Sequence, residues 1–379
     1  MFRLLLLVAC LGAIQAQKMH ITLKTKDAPE QNPNLTPKED APSFHVQLLK
    51  NIKAKGVQTF VGEISLGTPP QLMSVSVETS SALSYFPSVR CEDQFCKSRR
   101  QYNSSASSTY EALGTPFELP PGINASGVLS KDSISFAGIT VEGVVFGEAE
   151  SMWNKWLSIL PPDGVLGLGL QGMAPEGVRP ILDVMAEQGV ISERVFGMWL
   201  GRDPQGGELT LGGLNDQLYR GELTWANLTP PDGQWWTAPA DSIVLDGLTQ
   251  LDLCPGGRCV VLPASNSPYF IVSEAQAAAI NEALGGLDIG QPGAAVLDCT
   301  TLYRLPNLTI TVGGRAMVLG PLEYTFLLRF EGGLQMCVSG FLGFPGVDDH
   351  TMLLGTLFMQ KYYIAFDREN NRLGFADSA

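Results

Sequence analysis

The stretch VSVETSSALSYFPS, residues 75–88, decides how this chain is read. Val75 and Val77 alternate with serine as in a half-buried strand. The strand delivers a carboxylate, Glu78, into a Thr79-Ser80-Ser81 turn, and the aromatic pair Tyr85 and Phe86 follows. An acid at the end of an apolar strand sits where a fold presents a reactive group, and acid chemistry then needs a second group within hydrogen-bond reach. The stretch most similar in shape is CVVLPASNS, residues 259–267. GVLGLG (164–169) and MLLGTLF (352–358) form another matching pair, each placing two large aliphatics before a glycine. Two similar lobes facing each other across a cleft would produce such a repeat.

The rest of the chain agrees with a β protein. From residue 57 onward, short apolar runs such as TFVGEISLG, GELTLGGL and LTITVGG are separated by Gly, Pro and Asn turns. ISFAGITVEGVVF (134–146) alternates with period two, which predicts strands with one buried face. Two segments predict helices: RPILDVMAEQGVI (179–191), with a glycine stop, and SEAQAAAINEALGG (273–286), with Ser273 as N-cap. The small residues of the second helix fit close packing rather than a cofactor site. At 379 residues, 45% hydrophobic and 17% charged, the chain can bury a sizeable core in one large domain or two lobes.

The ends and the cysteines indicate the compartment. Residues 1–16 carry Arg3, an apolar run too short to span a bilayer and a closing Ala16, the pattern of a cleaved secretory signal. Residues 17–50, with APEQNPNLTPKEDAP and scattered lysines, read as a pro-segment or a loose arm. Beyond them the expected division is an N-terminal lobe over 51–218 and a C-terminal lobe over 219–379. Six cysteines remain after Cys10 leaves with the signal, enough for three disulfides in an oxidising compartment, although six thiols permit fifteen connectivities. Cys91 with Cys96 and Cys254 with Cys259 would close small loops, leaving Cys299 with Cys337. Sequons at Asn34, Asn103, Asn124, Asn227 and Asn307 fit glycosylation along the same route.

A secreted monomer without a membrane anchor is therefore expected. The net charge of −13 would repel a phosphate backbone, which excludes nucleic acid as partner. His20, His45 and His350 are too scattered for a metal cluster, and no phosphate loop or nucleophile elbow is present, so no cofactor is expected.

Taken together, these residues resemble the pepsin-like aspartic proteases over nearly the whole chain after the arm. FVGEISLGTPPQ resembles that family's opening strand and turn, ETSSALSYFPSVRC (78–91) its first catalytic loop, and SSASSTY the segment that follows. DGVLGLG, GELTLGGL and YRGELTW are similar to landmarks of the first lobe and the junction. CPGGRCVVLPASNS stands at the second catalytic loop, and LLGTLFMQKYYIAFDRENNRLGFA resembles the closing segment. The cysteine arrangement is similar to the family's three disulfides. The resemblance implies a mainly β, bilobal fold with a central cleft, in which two aspartates share a proton and polarise a water for attack on a peptide bond.

Departures from that pattern fall on the chemistry. Glu78-Thr79-Ser80 replaces Asp-Thr-Gly in the first loop; the extra methylene moves the carboxylate by about 1 Å, against a tolerance of roughly 0.5 Å for catalytic groups. Ser80 also adds a side chain where glycine is expected. In the second loop Pro263-Ala264-Ser265 stands in place of Asp-Thr-Gly, and proline holds no proton. Asp298, in AAVLDCTT, looks like a substitute acid, but its neighbour Cys299 belongs to the disulfide segment that should hold it away from the cleft. Glu274 is another acid to consider. The flap tip places Pro120, Pro121 and Gly122 where a tyrosine is expected, Tyr85 stands in place of a supporting tryptophan, and Thr356 replaces an acid near the pair. Trp235 and Trp236 could line a ligand surface or pack at the lobe junction. The functional expectation is a family member without its acid pair that binds a peptide or protein in the cleft. The alternatives are residual acid-pH endopeptidase activity through Glu78 and an unidentified second acid, and a secreted glycoprotein with no cleft ligand.

Overall fold

The computed structural model describes residues 19–26, 59–119, 125–152, 162–202, 206–230, 233–248, 251–289, 294–329 and 335–379. The signal stretch, most of the arm including Asn34, and the flap tip with Pro120, Pro121, Gly122 and Asn124 lie outside the described residues.

Within these residues the structure is the bilobal, mainly β fold implied by the resemblance. Strands Tyr219–Asn227, Arg372–Ser378, Tyr362–Asp367, Val195–Leu200 and Gly207–Leu211 lie side by side, drawing on both halves of the sequence. Tyr362–Asp367 is buried along its whole length, as its apolar run YYIAF requires of a strand covered on both faces. The strand Met19–Lys26 continues this sheet: Met19 to Leu23 pair with Leu211 to Gly207, and Lys24 to Lys26 then pair with Val61 to Thr59. Part of the segment read as an arm is thus built into the sheet that joins the halves.

The repeat seen in the sequence is a repeat of topology. Gln71–Glu78 runs parallel to Gly164–Gly167, which in turn lies antiparallel to Tyr85–Pro87. In the second half Cys259–Pro263 runs parallel to Thr351–Leu354, which lies antiparallel to Phe270–Val272. Each unit therefore threads one strand between the two arms of a wide loop. The crossing explains the glycines before which the paired aliphatics stand. A Cβ on Gly167 would lie 2.7 Å from the Ser81 carbonyl oxygen, and one on Gly355 would lie 2.5 Å from that of Ser267.

Both predicted helices form, as Ile181–Glu187 and Glu274–Ala283. Ser273 caps the second by accepting from the Gln276 backbone N–H at 3.1 Å, and Gly285 ends it with φ of 71°. Period-two patterning is realised at Leu308–Val312, where Leu308, Ile310 and Val312 face the core. The disulfides are Cys91–Cys96, Cys254–Cys259 and Cys299–Cys337. Among the described residues no helix is long and apolar enough to cross a membrane.

Trp236 ties the core to the loops of the cleft. It is 1% exposed, with its ring edge-on to Phe196 and Phe366, which stack on each other at 4.4 Å. Its Nε1–H donates to the Leu168 carbonyl at 2.9 Å, and the Leu168 N–H donates to the Glu78 carbonyl at 2.8 Å. Neighbouring Trp235 is 44% exposed, so only one of the pair packs at the junction. Trp236→Ala is expected to cost about 3–5 kcal/mol in urea denaturation, whereas Trp236→Phe, which forfeits the hydrogen bond but keeps an apolar ring, should cost less than half as much.

Candidate functional site

The ends of the two threaded strands meet at the floor of the cleft, and hydrogen bonds between hydroxyls and main chain join them. The Thr79 hydroxyl donates to the Pro263 carbonyl at 2.7 Å, and the Ser265 hydroxyl donates to the Val77 carbonyl at 2.6 Å. The backbone N–H of Thr79 donates to the Ser265 Oγ at 3.1 Å, and the N–H of Ser265 donates to the Thr79 Oγ1 at 3.3 Å. The arrangement is reciprocal, each hydroxyl accepting from the other's N–H and donating to the carbonyl two residues before the other.

That reciprocity fixes which residues correspond. Thr79 and Ser265 are 186 positions apart, and the same offset relates Val77 to Pro263. It also relates the carbonyls of Ser81 and Leu83, crowded against Gly167, to those of Ser267 and Tyr269, crowded against Gly355. By this symmetry the counterpart of Glu78 is Ala264, and Pro263 lies one residue earlier. The correction has a simple cause: aligning Ala264 with Thr79 would ask an alanine to supply a hydroxyl, and only Ser265 has one. Ala264 is fully buried, and its N–H donates to the Leu354 carbonyl at 2.9 Å. The floor of the cleft thus carries a carboxyl on one side of the symmetry and a methyl on the other.

Glu78 is 5% exposed. Its Oε1 accepts from the Ser76 hydroxyl at 3.3 Å, and the Ser76 and Asn266 side chains favour its charged form. Burial outweighs both and pushes the carboxyl up to about 7. The phenol of fully buried Tyr85 is driven well above its ordinary range by burial and, secondarily, by the Glu78 charge. Glu148 is just as deeply buried but better served, because hydroxyls of Ser88, Ser104 and Ser130 donate to it and Arg90 lies 3.1 Å away. Buried Asp367 likewise has Arg372 at 2.7 Å. Glu78 is an acid held in the core with thin compensation.

The other residues singled out from the sequence fall into place around this floor. Ser80 and Ser81 are half-buried at the turn, and the Ser81 hydroxyl donates to the Leu83 carbonyl at 2.9 Å rather than to Glu78. Neither Ser80 nor its counterpart Asn266 needs a positive φ, so the missing turn glycines leave no left-handed strain. Thr356 is buried, with its N–H donating to the Ser267 carbonyl at 2.7 Å. Asp298 is exposed, and the N–H and hydroxyl of Thr300 bind its carboxylate within its own turn and lower its pKa. Glu274 is exposed in the first turn of its helix. The flap strands Glu111–Glu118 and Ala125–Phe136 pair as a hairpin. Asn227 and Asn307 are exposed, and Asn103 is half-buried.

Asn266 went unremarked in the sequence because it follows the motif positions. The signal for it was the offset itself, since the hydroxyl requirement moves the second loop on by one residue and puts Asn266 opposite Ser80.

Fold and floor together define a class, and comparison with known proteins agrees. Residues 59–378 match the family of eukaryotic aspartyl proteases, and the chain belongs to that family. Among its relatives, human cathepsin D is 33% identical over 340 residues, covering 84% of this chain and 81% of that protein. Cathepsin D of Dictyostelium discoideum is 35% identical over 322 residues, covering 84% and 82% respectively. Cathepsin D of Bos taurus is 33% identical over 350 residues, covering 88% and 87%.

The raised pKa of Glu78 carries a stability consequence. The unfolded chain loses this proton near 4.5 and the folded protein near 7, so folding is progressively penalised as pH rises between those values and the penalty is complete above them. Glu78→Gln should therefore leave urea stability near pH 4 almost unchanged and raise it at pH 8 by at most about 3 kcal/mol. Ser265→Ala, which removes one bond to Val77 and leaves the Thr79 N–H without its acceptor, should cost about 1–3 kcal/mol at either pH.

Proposed function

We propose that this protein is a secreted member of the family that has lost proteolysis and uses the cleft to hold a peptide or a protein segment intact. One observation carries the reading: the counterpart of Glu78 is Ala264. Hydrolysis by this family's route takes two carboxyls close enough to share a proton, one polarising the water and the other protonating the departing groups. A methyl holds no proton. Burial, opposed by the Ser76 and Asn266 side chains, accounts for the raised pKa of Glu78, and no second carboxyl enters among the described residues. A lone buried acid has no neighbour to divide the roles of base and acid.

The floor nevertheless retains what a bound chain would need. It is rigid, because four hydrogen bonds cross it, and it carries polar groups at Ser80, Ser81, Ser265 and Asn266. Secretion is supported by the short apolar leader, the three disulfides and the exposed sequons at Asn227 and Asn307. Residues 51–218 and 219–379 are proposed as the two lobes, preceded by the arm at 17–50, and the protein as a monomer.

The deciding measurement is turnover of a denatured, fluorogenic protein substrate by purified protein freed of the arm between the Lys26 strand and residue 51, scanned from pH 2 to 7. No turnover is expected at any pH, while the same substrate, labelled with a dye, should bind in fluorescence anisotropy. Turnover that Glu78→Gln abolishes would overturn the reading and establish a one-acid hydrolase. Absence of both turnover and binding would favour a secreted glycoprotein with no cleft ligand.

A further inference from the structure

We infer that Asn307 carries an N-linked glycan whose first sugar lies over Gly320 and covers the apolar side chains of Val318 and Leu322, far from the chemistry of the cleft. This rests on the reading of the protein as one that enters the secretory pathway.

Strand parity sets the face. Leu308, Ile310 and Val312 are buried, so Asn307, Thr309 and Thr311 point the other way. Their strand lies between Ser242–Leu245 and Arg315–Leu319 and is antiparallel to both. Val244 and Val318 stand opposite Thr309, one on each side, and both are exposed. The next row on this face holds Asp246, Asn307 and Gly320: the Asp246 N–H donates to the Asn307 carbonyl at 2.9 Å, and a Cβ on Gly320 would lie 3.8 Å from the Asn307 Oδ1.

The two flanks of Asn307 differ. The Asp246 carboxylate is engaged, accepting from the Thr309 hydroxyl at 3.3 Å. Gly320 is bare: among the described residues beyond its chain neighbours, a Cβ there would meet only the Asn307 Oδ1 and the Glu323 Oε2, each at 3.8 Å. The Asn307 carboxamide therefore leans over open main chain, with Val318 on one side of Gly320 and Leu322, 77% exposed, on the other. Tyr303, also exposed, joins them because the turns Leu302–Arg304 and Pro321–Glu323 pack together. This slot is firmly held. The Gly320 N–H donates to the Glu323 Oε2 at 2.8 Å, and the Tyr324 hydroxyl donates to the Pro306 carbonyl at 2.6 Å.

The chemistry of the occupant follows from the triplet Asn307-Leu308-Thr309, an acceptor for N-linked sugar. The Asn307 amide nitrogen attacks the anomeric carbon of a lipid-pyrophosphate-linked oligosaccharide. A C–N bond forms, the C–O bond to phosphate breaks, and the nitrogen gives up a proton as the lipid pyrophosphate leaves. A pyranose ring has C–H groups on its face and hydroxyls around its rim. Seated on Gly320, it sets C–H groups against Val318 and Leu322 while its hydroxyls stay in water, so apolar area is covered on both sides of the contact. Left bare, these neighbouring side chains would form the kind of apolar patch that marks an association surface.

The test uses the full chain expressed in cultured eukaryotic cells, collected from the medium and mapped by peptide mass spectrometry. Asn307 should be occupied. Hydroxyl-radical labelling of folded protein is then compared for the glycosylated form, the form trimmed by an endoglycosidase to one sugar, and Asn307→Gln, each checked for native circular dichroism. Folded protein stripped by a glycoamidase replaces the variant if the variant is not secreted. Labelling of Val318, Leu322 and Tyr303 should rise about twofold or more without the glycan, since reaction follows the side-chain area open to water. Trimming to one sugar should leave it low, and Leu113 and Trp235, exposed elsewhere, should not change. Secreted protein with a bare Asn307, equal labelling with and without the glycan, or a full rise on trimming overturns this inference alone. Protection that disappears on dilution also overturns it and assigns the face to a second copy of the chain. A chain that stays in the cell without sugar at any sequon overturns the reading of secretion as well.

Discussion

Everything at the floor of the cleft depends on the exchange of hydrogen bonds between Thr79 and Ser265. Each hydroxyl is both acceptor and donor across the two loops, so neither loop reaches its conformation without the other. Thr79 is 1% exposed, and a bond lost there would strand a buried donor or acceptor at a cost of about 1–3 kcal/mol. The constraint reaches outward through the chain of contacts from Glu78 to Leu168 to Trp236, and from there into the stacked rings of Phe196 and Phe366. The frame that joins the two loops thus holds Glu78 at one symmetry-related position and the methyl of Ala264 at the other.

The electrostatic state of Glu78 follows from that preserved geometry. Where this fold buries other carboxylates it surrounds them: Asp132 takes hydroxyls from Tyr102 and Thr109 at 2.6 and 2.5 Å, and Asp163 has Arg100 at 2.7 Å. At the cleft floor the symmetry that would supply a second polar group supplies Ala264. The carboxyl then has Ser76 and Asn266, and desolvation dominates. Proton sharing between two acids would split their titrations; a single acid in a tight site is simply kept neutral until higher pH.

Most of the fold was legible in residues whose spacing reports a physical need. The aliphatic pairs before Gly167 and Gly355 marked a repeat that the structure shows as two backbone crossings, Ser273 marked a helix start, and the two short cysteine loops closed as read. The site was less legible for an equally physical reason. A motif matched by residue type put Pro263 against Glu78, whereas the fold matches the loops by the hydroxyl and carbonyl each must offer the other. That criterion needs both halves in view at once. The strand Met19–Lys26 was hidden in the same way: its polar lysines read as an arm, but its backbone pairs on both sides, and backbone pairing leaves no mark on side-chain composition.

On the proposed reading, a rigid floor without an acid pair has a consequence for binding. In an enzyme, the interactions that hold the floor are directed at the transition state, and ground-state affinity is kept modest. Here such interactions are present, since the hydrogen bonds of Thr79 and Ser265 span the loops and none of them involves the Glu78 carboxyl. A preorganised groove loses little entropy when it takes up a chain, so on that reading affinity is the property the floor can still express. The positions that depart from the two Asp-Thr-Gly turns of the resemblance are Glu78, Ser80, Ala264 and Asn266, whereas Thr79 and Ser265 keep the hydroxyls that hold the loops together. On the proposed reading, these departures change what a bound peptide meets without changing how the cleft is held.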